Sequence, residues 1–459
     1  MMKKMKNESG KRKAVLLVCI SMAFLFPFSS FHIASAQDTA TVRKAEKVTI
    51  KPYGFVRNYL NVDSRRMVTV CGGEYLMIPT DEDWNLTEAQ AQTLGATDER
   101  FDRNAVPEAH FLALSTRFGL KLEGGNVGGF RLSGRAEGDF AGFGTSNTVL
   151  RLRLAYVTLR KQSQELLVGQ DWHPLSGSIM PDVLGMAAGA PFRPHSRTPQ
   201  LRYTFNPDGL GFSAAALWQY QFTSPGPDGE STAYANRSLV PELFVGLHYR
   251  TPQVYAQLGT DYTNLLVRRE IPVTDYYTGA VRYNHLDVGR CHSFSPTVYF
   301  QYTPLNVPFS LKFRSTLAQN LGHLNMLSGY AWAVAADGDM AYIPMQASVS
   351  YFDLAWGRRV RLNLFLGYQH NLGLADKDYS IGGITPELYM KKGIQNIRNI
   401  FRCAPSVSYN TKAFNIGLEY ELTGVNYGRL DPSDGTVPAD AALHLVLGHR
   451  LCLLVKYNF

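Results

Sequence analysis

Arginine is the residue type whose placement here could do chemistry. Arg131 and Arg135 stand four apart, Arg151 and Arg153 two apart, and Arg193, His195, Arg197 and Arg202 follow at short intervals. A guanidinium stays charged and presents a planar fork of donors that matches a carboxylate or phosphate. Acids that could answer these cations are Glu137, Asp139, Asp171, Asp182, Glu419 and Glu421. Two outcomes are open: the charges pair and brace one another, or the cations stay in excess and attract anions. Other reactive patterns are thin. Asp171-Trp172-His173 could suggest a carboxylate–imidazole pair, but no nucleophile signature accompanies it. No G-x-S-x-G occurs, and the 11 histidines show no H-E-x-x-H spacing. Asp337-Gly338-Asp339 reads as turn chemistry. The chain is therefore expected to hold no catalytic residues, no metal and no cofactor.

The elements that carry these arginines alternate with a period of two. In 130–140, Phe130, Leu132, Gly134, Ala136 and Phe140 would face one way; Arg131, Ser133, Arg135, Glu137 and Asp139 would face the other. The same reading predicts strands at 48–60, 111–122, 130–140, 147–161, 164–171, 199–205, 210–222 and 239–250. A second set follows at 253–268, 294–303, 307–320, 341–355, 359–370, 400–410, 413–422 and 444–459. Further basic residues on the polar face are Lys312, Arg314, Arg359 and Arg361.

The connections alternate between short and long. Tight turns are predicted at 124–129 and near Gln162, Pro207, Pro252, Pro304, Gly357 and Thr411. Long connections are predicted at 61–110, 172–198, 223–238, 270–293, 321–340, 371–399 and 423–443. An even number of antiparallel strands with short turns at one end and long loops at the other describes a transmembrane β-barrel. The fold class expected is all-β, an antiparallel barrel of about sixteen strands over 48–459. Segment 172–197 follows neither a helical nor a strand period and is rich in Gly and Pro. Loops of that length are usually functional, and this one is expected to fold inward as a constriction.

The ends agree with that class. Lys3, Lys4, Lys6, Lys11, Arg12 and Lys13 precede an apolar run, and Ala34-Ser35-Ala36 supplies a cleavage pattern, so 1–36 reads as a signal peptide. Residues 37–47 would be a short periplasmic leader. Without 1–36, Lys+Arg falls from 46 to 40 and Asp+Glu from 38 to 37. That near-balance removes the case for a nucleic-acid partner. Cys71, Cys291, Cys403 and Cys452 lack metal-type or local disulfide spacing. At the other end Leu451, Leu453, Val455, Tyr457 and Phe459 alternate to a terminal aromatic. This resembles the signal read by the outer-membrane barrel assembly machinery, and such a strand could close the sheet against the first.

Several stretches resemble one family. Val168-Gly169-Gln170-Asp171-Trp172, the loop after it, and Arg197-Thr198-Pro199-Gln200-Leu201-Arg202-Tyr203 are similar to a segment of the DcaP-like trimeric outer-membrane porins. So are Gly54-Phe55-Val56-Arg57, Asp63-Ser64 and the run from Arg151 to Tyr156. The likeness is densest over 53–205, and 37–47 is too short for the coiled coil that some members carry. The resemblance implies a homotrimer in the bacterial outer membrane, passing dicarboxylates and other small anions past an inward loop. On that reading Arg131, Arg135, Arg151, Arg153, Arg193, Arg197 and Arg202 line the pore, with membrane lipid and small anionic solutes as partners. The competing expectation is a narrow barrel acting as adhesin, receptor or membrane enzyme through its long loops.

Overall fold

The structure is a computed structural model that describes residues 48–459 except 71–74, 143–148, 178–179, 275–276, 280, 286–288, 335–339, 377–385 and 441. The proposed signal and leader, Cys71 and the Asp337–Asp339 turn lie outside the described residues.

Sixteen antiparallel strands close into one barrel. They are β1 (Thr49–Asp63), β2 (Arg117–Val127), β3 (Phe130–Asp139), β4 (Arg151–Lys161), β5 (Gln164–Trp172), β6 (Arg197–Phe205), β7 (Gly209–Leu217) and β8 (Glu242–Arg250). The circuit continues with β9 (Val254–Leu265), β10 (Cys291–Tyr302), β11 (Phe309–Gln319), β12 (Met340–Trp356), β13 (Val360–Leu374), β14 (Ile397–Asn410), β15 (Phe414–Tyr427) and β16 (His444–Asn458). Each pairs with its sequence neighbour, and β16 pairs with β1 from Phe55 opposite Asn458 to Asp63 opposite Arg450. Closure leaves no unpaired edge, which a hydrocarbon environment requires.

Period-two patterning explains which face goes where. On β11 Ser310, Lys312, Arg314, Thr316 and Ala318 are buried toward the lumen. Outward, Val245, Leu247, Leu258, Val298, Leu362, Leu366, Leu447 and Leu451 are exposed large apolar side chains. Such a belt suits lipid, where an arginine at the midplane would cost about 2–4 kcal/mol. Among the described residues no helix is long and apolar enough to cross a membrane. The closed wall and its outward apolar belt are the build of a membrane-spanning β-barrel. Phe459 completes the seam: it exchanges two backbone hydrogen bonds of 3.1 Å with Gly54.

Four sequence expectations shift. The second strand starts at Arg117, because a turn from Thr116 N–H to Ala113 O breaks the run. Glu108–Leu112 instead pairs with the outer end of β1. The turn at 124–129 shrinks to Gly128 and Gly129, with φ of 56° and 81°; Gly124 and Gly125 stay in β2, where the register slips. The seventh strand ends at Leu217, and Trp218 to Phe222 leave the wall. Strands β13 and β15 run past the expected ends at 370 and 422, to Leu374 and Tyr427.

The lumen holds the largest departure. Beyond the one inward constriction that the sequence predicts, several loops pack an apolar core inside the barrel. Met77 and Ile78 come from the first long loop, Leu175 and Phe192 from the loop after β5, and Leu321, Leu324, Met326 and Leu327 from that after β11. They meet inward wall residues Leu217, Phe244, Tyr351 and Phe365.

Candidate functional site

The loop between β5 and β6 crosses the lumen. It opens with a single helical turn, Pro174–Gly177. Asp182 then docks on β11 to β13: its N–H donates to Asp353 Oδ2 at 3.0 Å, and its carboxylate meets Lys312 Nζ at 3.0 Å and the Arg361 guanidinium. Burial pushes the Asp182 carboxyl up, but Lys312 and Arg361 outweigh it and hold the group below the usual carboxylate range. The Leu184 and Gly185 amides donate to the two oxygens of Glu419 on β15, at 2.6 and 3.0 Å. Leu184 and Met186 reach Tyr59 and Leu454 at the β16–β1 seam. On the return, Arg402 of β14 donates to Ala190 O at 2.9 Å, and Phe192 lies edge-on to Phe365.

Two wall glycines make room for this. A Cβ on Gly367 would sit 2.5 Å from Phe192, and one on Gly417 would sit 2.5 Å from Leu184. Glycine inside a strand pattern marks such close approaches, and that signal was present in the sequence without being used.

The seven arginines separate into three groups. Arg151 and Arg153 are buried and matched: Arg151 grips both Asp139 oxygens at 2.9 Å, and Arg153 bridges Glu137 at 3.1 Å and Asp139 at 2.6 Å. A bulge between Glu137 and Gly138 sets these residues side by side. Arg202 pairs with Asp171 at 2.7 Å. Arg193, in the loop, donates to Ala188 O and Ser176 O, both at 2.9 Å, and burial lowers its pKa to about 10. Arg197 is wholly buried, 4.9 Å from the Trp172 ring and 5.6 Å from Phe222, and its three guanidinium nitrogens make no hydrogen bond. Burial, then Arg193 and Arg197, push His195 well below the usual histidine value, so it is neutral. Arg135 and Arg131 remain more accessible. Arg135 bridges Glu137 at 2.9 Å and bonds Tyr53 Oη, while Arg131 is exposed opposite Arg160.

The structure adds cations that strand-by-strand reading overlooked. Register places Arg57 opposite Lys456, Lys51 opposite Lys121, Lys121 opposite Arg135, and Arg131 opposite Arg160. Arg57, Arg117 and Lys456 surround the Phe55 ring at 4.9, 4.9 and 4.5 Å. Like charges directly opposite are destabilising. From β16 through β1 to β4 the buried acids are Asp63, held by Arg450, and Glu137 and Asp139, while Glu123 meets Lys51 and Glu165 meets Arg160 nearer the surface. Only closure brings Lys456, near the C-terminus, beside Arg57, so no local pattern could have found the pair.

A cavity of about 410 Å³ lies beneath Asp182, lined by Lys312, Arg358 and Arg361 with the turns at Pro304 and Gly357. It sits at the short-turn end.

No family model matches the chain, and no curated protein does. Solved structures with a similar course are outer-membrane proteins. OmpT of Vibrio cholerae aligns over 91% of this chain and 99% of its own, at 10% identity and a TM-score of 0.48. Salmonella typhi OmpF, in complex with daunomycin, aligns over 90% and 98%, at 11% and 0.44. Pseudomonas putida OprB aligns over 89% and 94%, at 10% and 0.41.

Proposed function

We propose that this barrel is a passive porin for small anionic solutes, dicarboxylates among them, with the loop 172–197 as its constriction. The observation that carries the reading is the run of like-charged cross-strand pairs from β16 to β4. A wall bearing cations against cations is a poor way to brace a lumen and a good way to hold a positive potential. Basic side chains in a narrow, low-dielectric passage favour anions. Arg131 and Arg135 belong to that run. Arg151, Arg153 and Arg202 act through the acids they hold in place, and Arg193 shapes the loop from within. The resemblance over 53–205 supports a homotrimer, and the outward Phe459 supports recognition by the assembly machinery.

A second reading has the packed loops behind it: a barrel narrowed enough to act as a receptor or adhesin through its outer surface. Planar-bilayer recording separates the two. A porin gives ohmic steps, and a salt gradient gives a reversal potential of anion sign that weakens as ionic strength rises and screening shortens. A silent barrel, or one that prefers cations, removes the anion-porin reading and leaves the fold untouched.

A further inference from the structure

Away from the arginines, four groups that linear spacing kept apart converge behind the start of the loop. His173 follows β5, Glu242 opens β8, Asp261 lies on β9, and His323 sits in the 3₁₀ turn Gly322–Leu324. His173 Nε2 is 2.8 Å from Glu242 Oε1 and 3.7 Å from Asp261 Oδ1, and His323 Nε2 is 3.2 Å from Glu242 Oε1. All four residues are at most 5% exposed. One ligand atom each from His173, Glu242 and Asp261 falls within 4.8 Å of the others. Glu242 Oε2 and Asp261 Oδ1 are buried and accept no hydrogen bond.

From this arrangement we infer that His173, Glu242, Asp261 and His323 form a structural site for one borderline divalent ion of the zinc class, fastening the inward loop to the wall. Two carboxylates placed together out of water need compensating positive charge. Two imidazoles with two carboxylate oxygens suit zinc and its first-row neighbours, whereas calcium and magnesium prefer all-oxygen shells. An ion would tie four separate pieces of the molecule: the loop start, β8, β9 and the turn after β11. His173 Nδ1 accepts the Leu175 amide at 3.1 Å, and a ring bound through Nε2 carries its proton on Nδ1. Binding therefore requires the Leu175 amide to turn away. The alternative without metal is that protons alone link the group, with Glu242 accepting from both rings.

Elemental analysis of the full-length barrel in detergent decides between them. Protein stripped with chelator, loaded with excess Zn²⁺ and desalted is expected to retain about one zinc per chain. Co²⁺ in its place is expected to give the intense visible bands of a low-coordinate site. Glu242→Gln and His323→Ala should each weaken zinc binding by more than about tenfold while keeping the heat-shifted gel mobility of a folded barrel. Metal-free wild type after loading, or a wild-type zinc content in both variants, overturns the site. Should neither variant fold, wild-type cobalt protein still decides: an aqua-like spectrum, or no uptake, counts against it.

Discussion

Two arcs of the same wall treat charge in opposite ways. From β11 to β15 Arg314 lies over the Tyr299 ring, and the other inward charges of the docking wall meet an opposite or a loop amide: Lys312 with Asp182 and Asp353, Arg361 with Asp182, Arg402 with Glu421, Glu419 with Leu184 and Gly185. From β16 to β4, Asp63, Glu137 and Asp139 hold Arg450, Arg151 and Arg153, but cations outnumber acids and four register pairs set cation against cation. The first arc holds the loop, and its charges are used up in holding it. The second arc touches the loop near Tyr59 and Leu454 and carries its excess cations below that contact, toward the short turns. The surplus of positive charge thus lies on one side of the tube and the loop-holding pairs on another.

The strongest way to break this division is to cut the loop from its arc. Glu419→Ala removes the acceptor of two half-buried amides, and each orphaned group costs up to about 1–3 kcal/mol. The barrel is expected to assemble, since the strand ladder is untouched, but single-channel current should rise and become noisy. An unchanged, quiet current would mean that the loop is held elsewhere. Gly367→Leu attacks the same docking by crowding Phe192, and is expected to show the same phenotype.

Neutralising the opposite arc should do the reverse. Arg57, Lys121 and Lys456 changed together to Gln relieve like-charge pairs, each worth roughly 0.2–1 kcal/mol, so stability should hold or rise slightly. Reversal potential should move toward cation preference, most at low salt. Ser at Arg151 is a different experiment. It leaves Asp139 with half its partners, at a cost of about 3–5 kcal/mol, so a stability loss there reports bracing rather than selectivity. Unchanged ion preference in the triple variant would take the basic arc out of the mechanism.

How much of this was legible in the sequence follows from what each feature depends on. Strands such as 130–140 and 359–370 announced themselves because lipid on one side and lumen on the other force alternation. The turn at Gly357 was visible because positive φ favours glycine, whereas that at Gln162, a non-glycine at φ 52°, showed only as a break between two alternating runs. The inward course of the loop could be guessed from its lack of period. Its docking could not, since Asp182 meets residues 130 to 180 positions away. The cationic pairs share that limit: the charge of a residue is local, but its cross-strand neighbour is set by closure and by slips such as that between Glu123 and Asn126. The apolar core under the loops was misread for a related reason, because inward Phe192, Phe365 and Leu324 look like ordinary loop or lipid-facing residues until the loops are placed.

The smallest expected effect is a pH dependence on the loop-holding arc. The Asp182 carboxyl is held low by Lys312 and Arg361 against the opposing pull of burial. A group with a depressed folded pKa contributes docking stability above its ordinary value, near 3.9 for Asp, and loses it as pH falls through the lower folded value. The share of loop docking that rests on Asp182 should therefore be insensitive to pH across the neutral and mildly acidic range, and weaken only in stronger acid. Asp182→Asn removes the charge at every pH, keeps the backbone donation to Asp353, and leaves Lys312 with that one carboxylate. Its channel should be modestly noisier at neutral pH, and acid should add little to it. Current recorded stepwise from neutral pH down to strong acid makes the comparison. If the Asn variant and wild type respond to acid alike, Asp182 is not the group that titrates, and the pairing with Lys312 and Arg361 contributes nothing to holding the loop across the lumen.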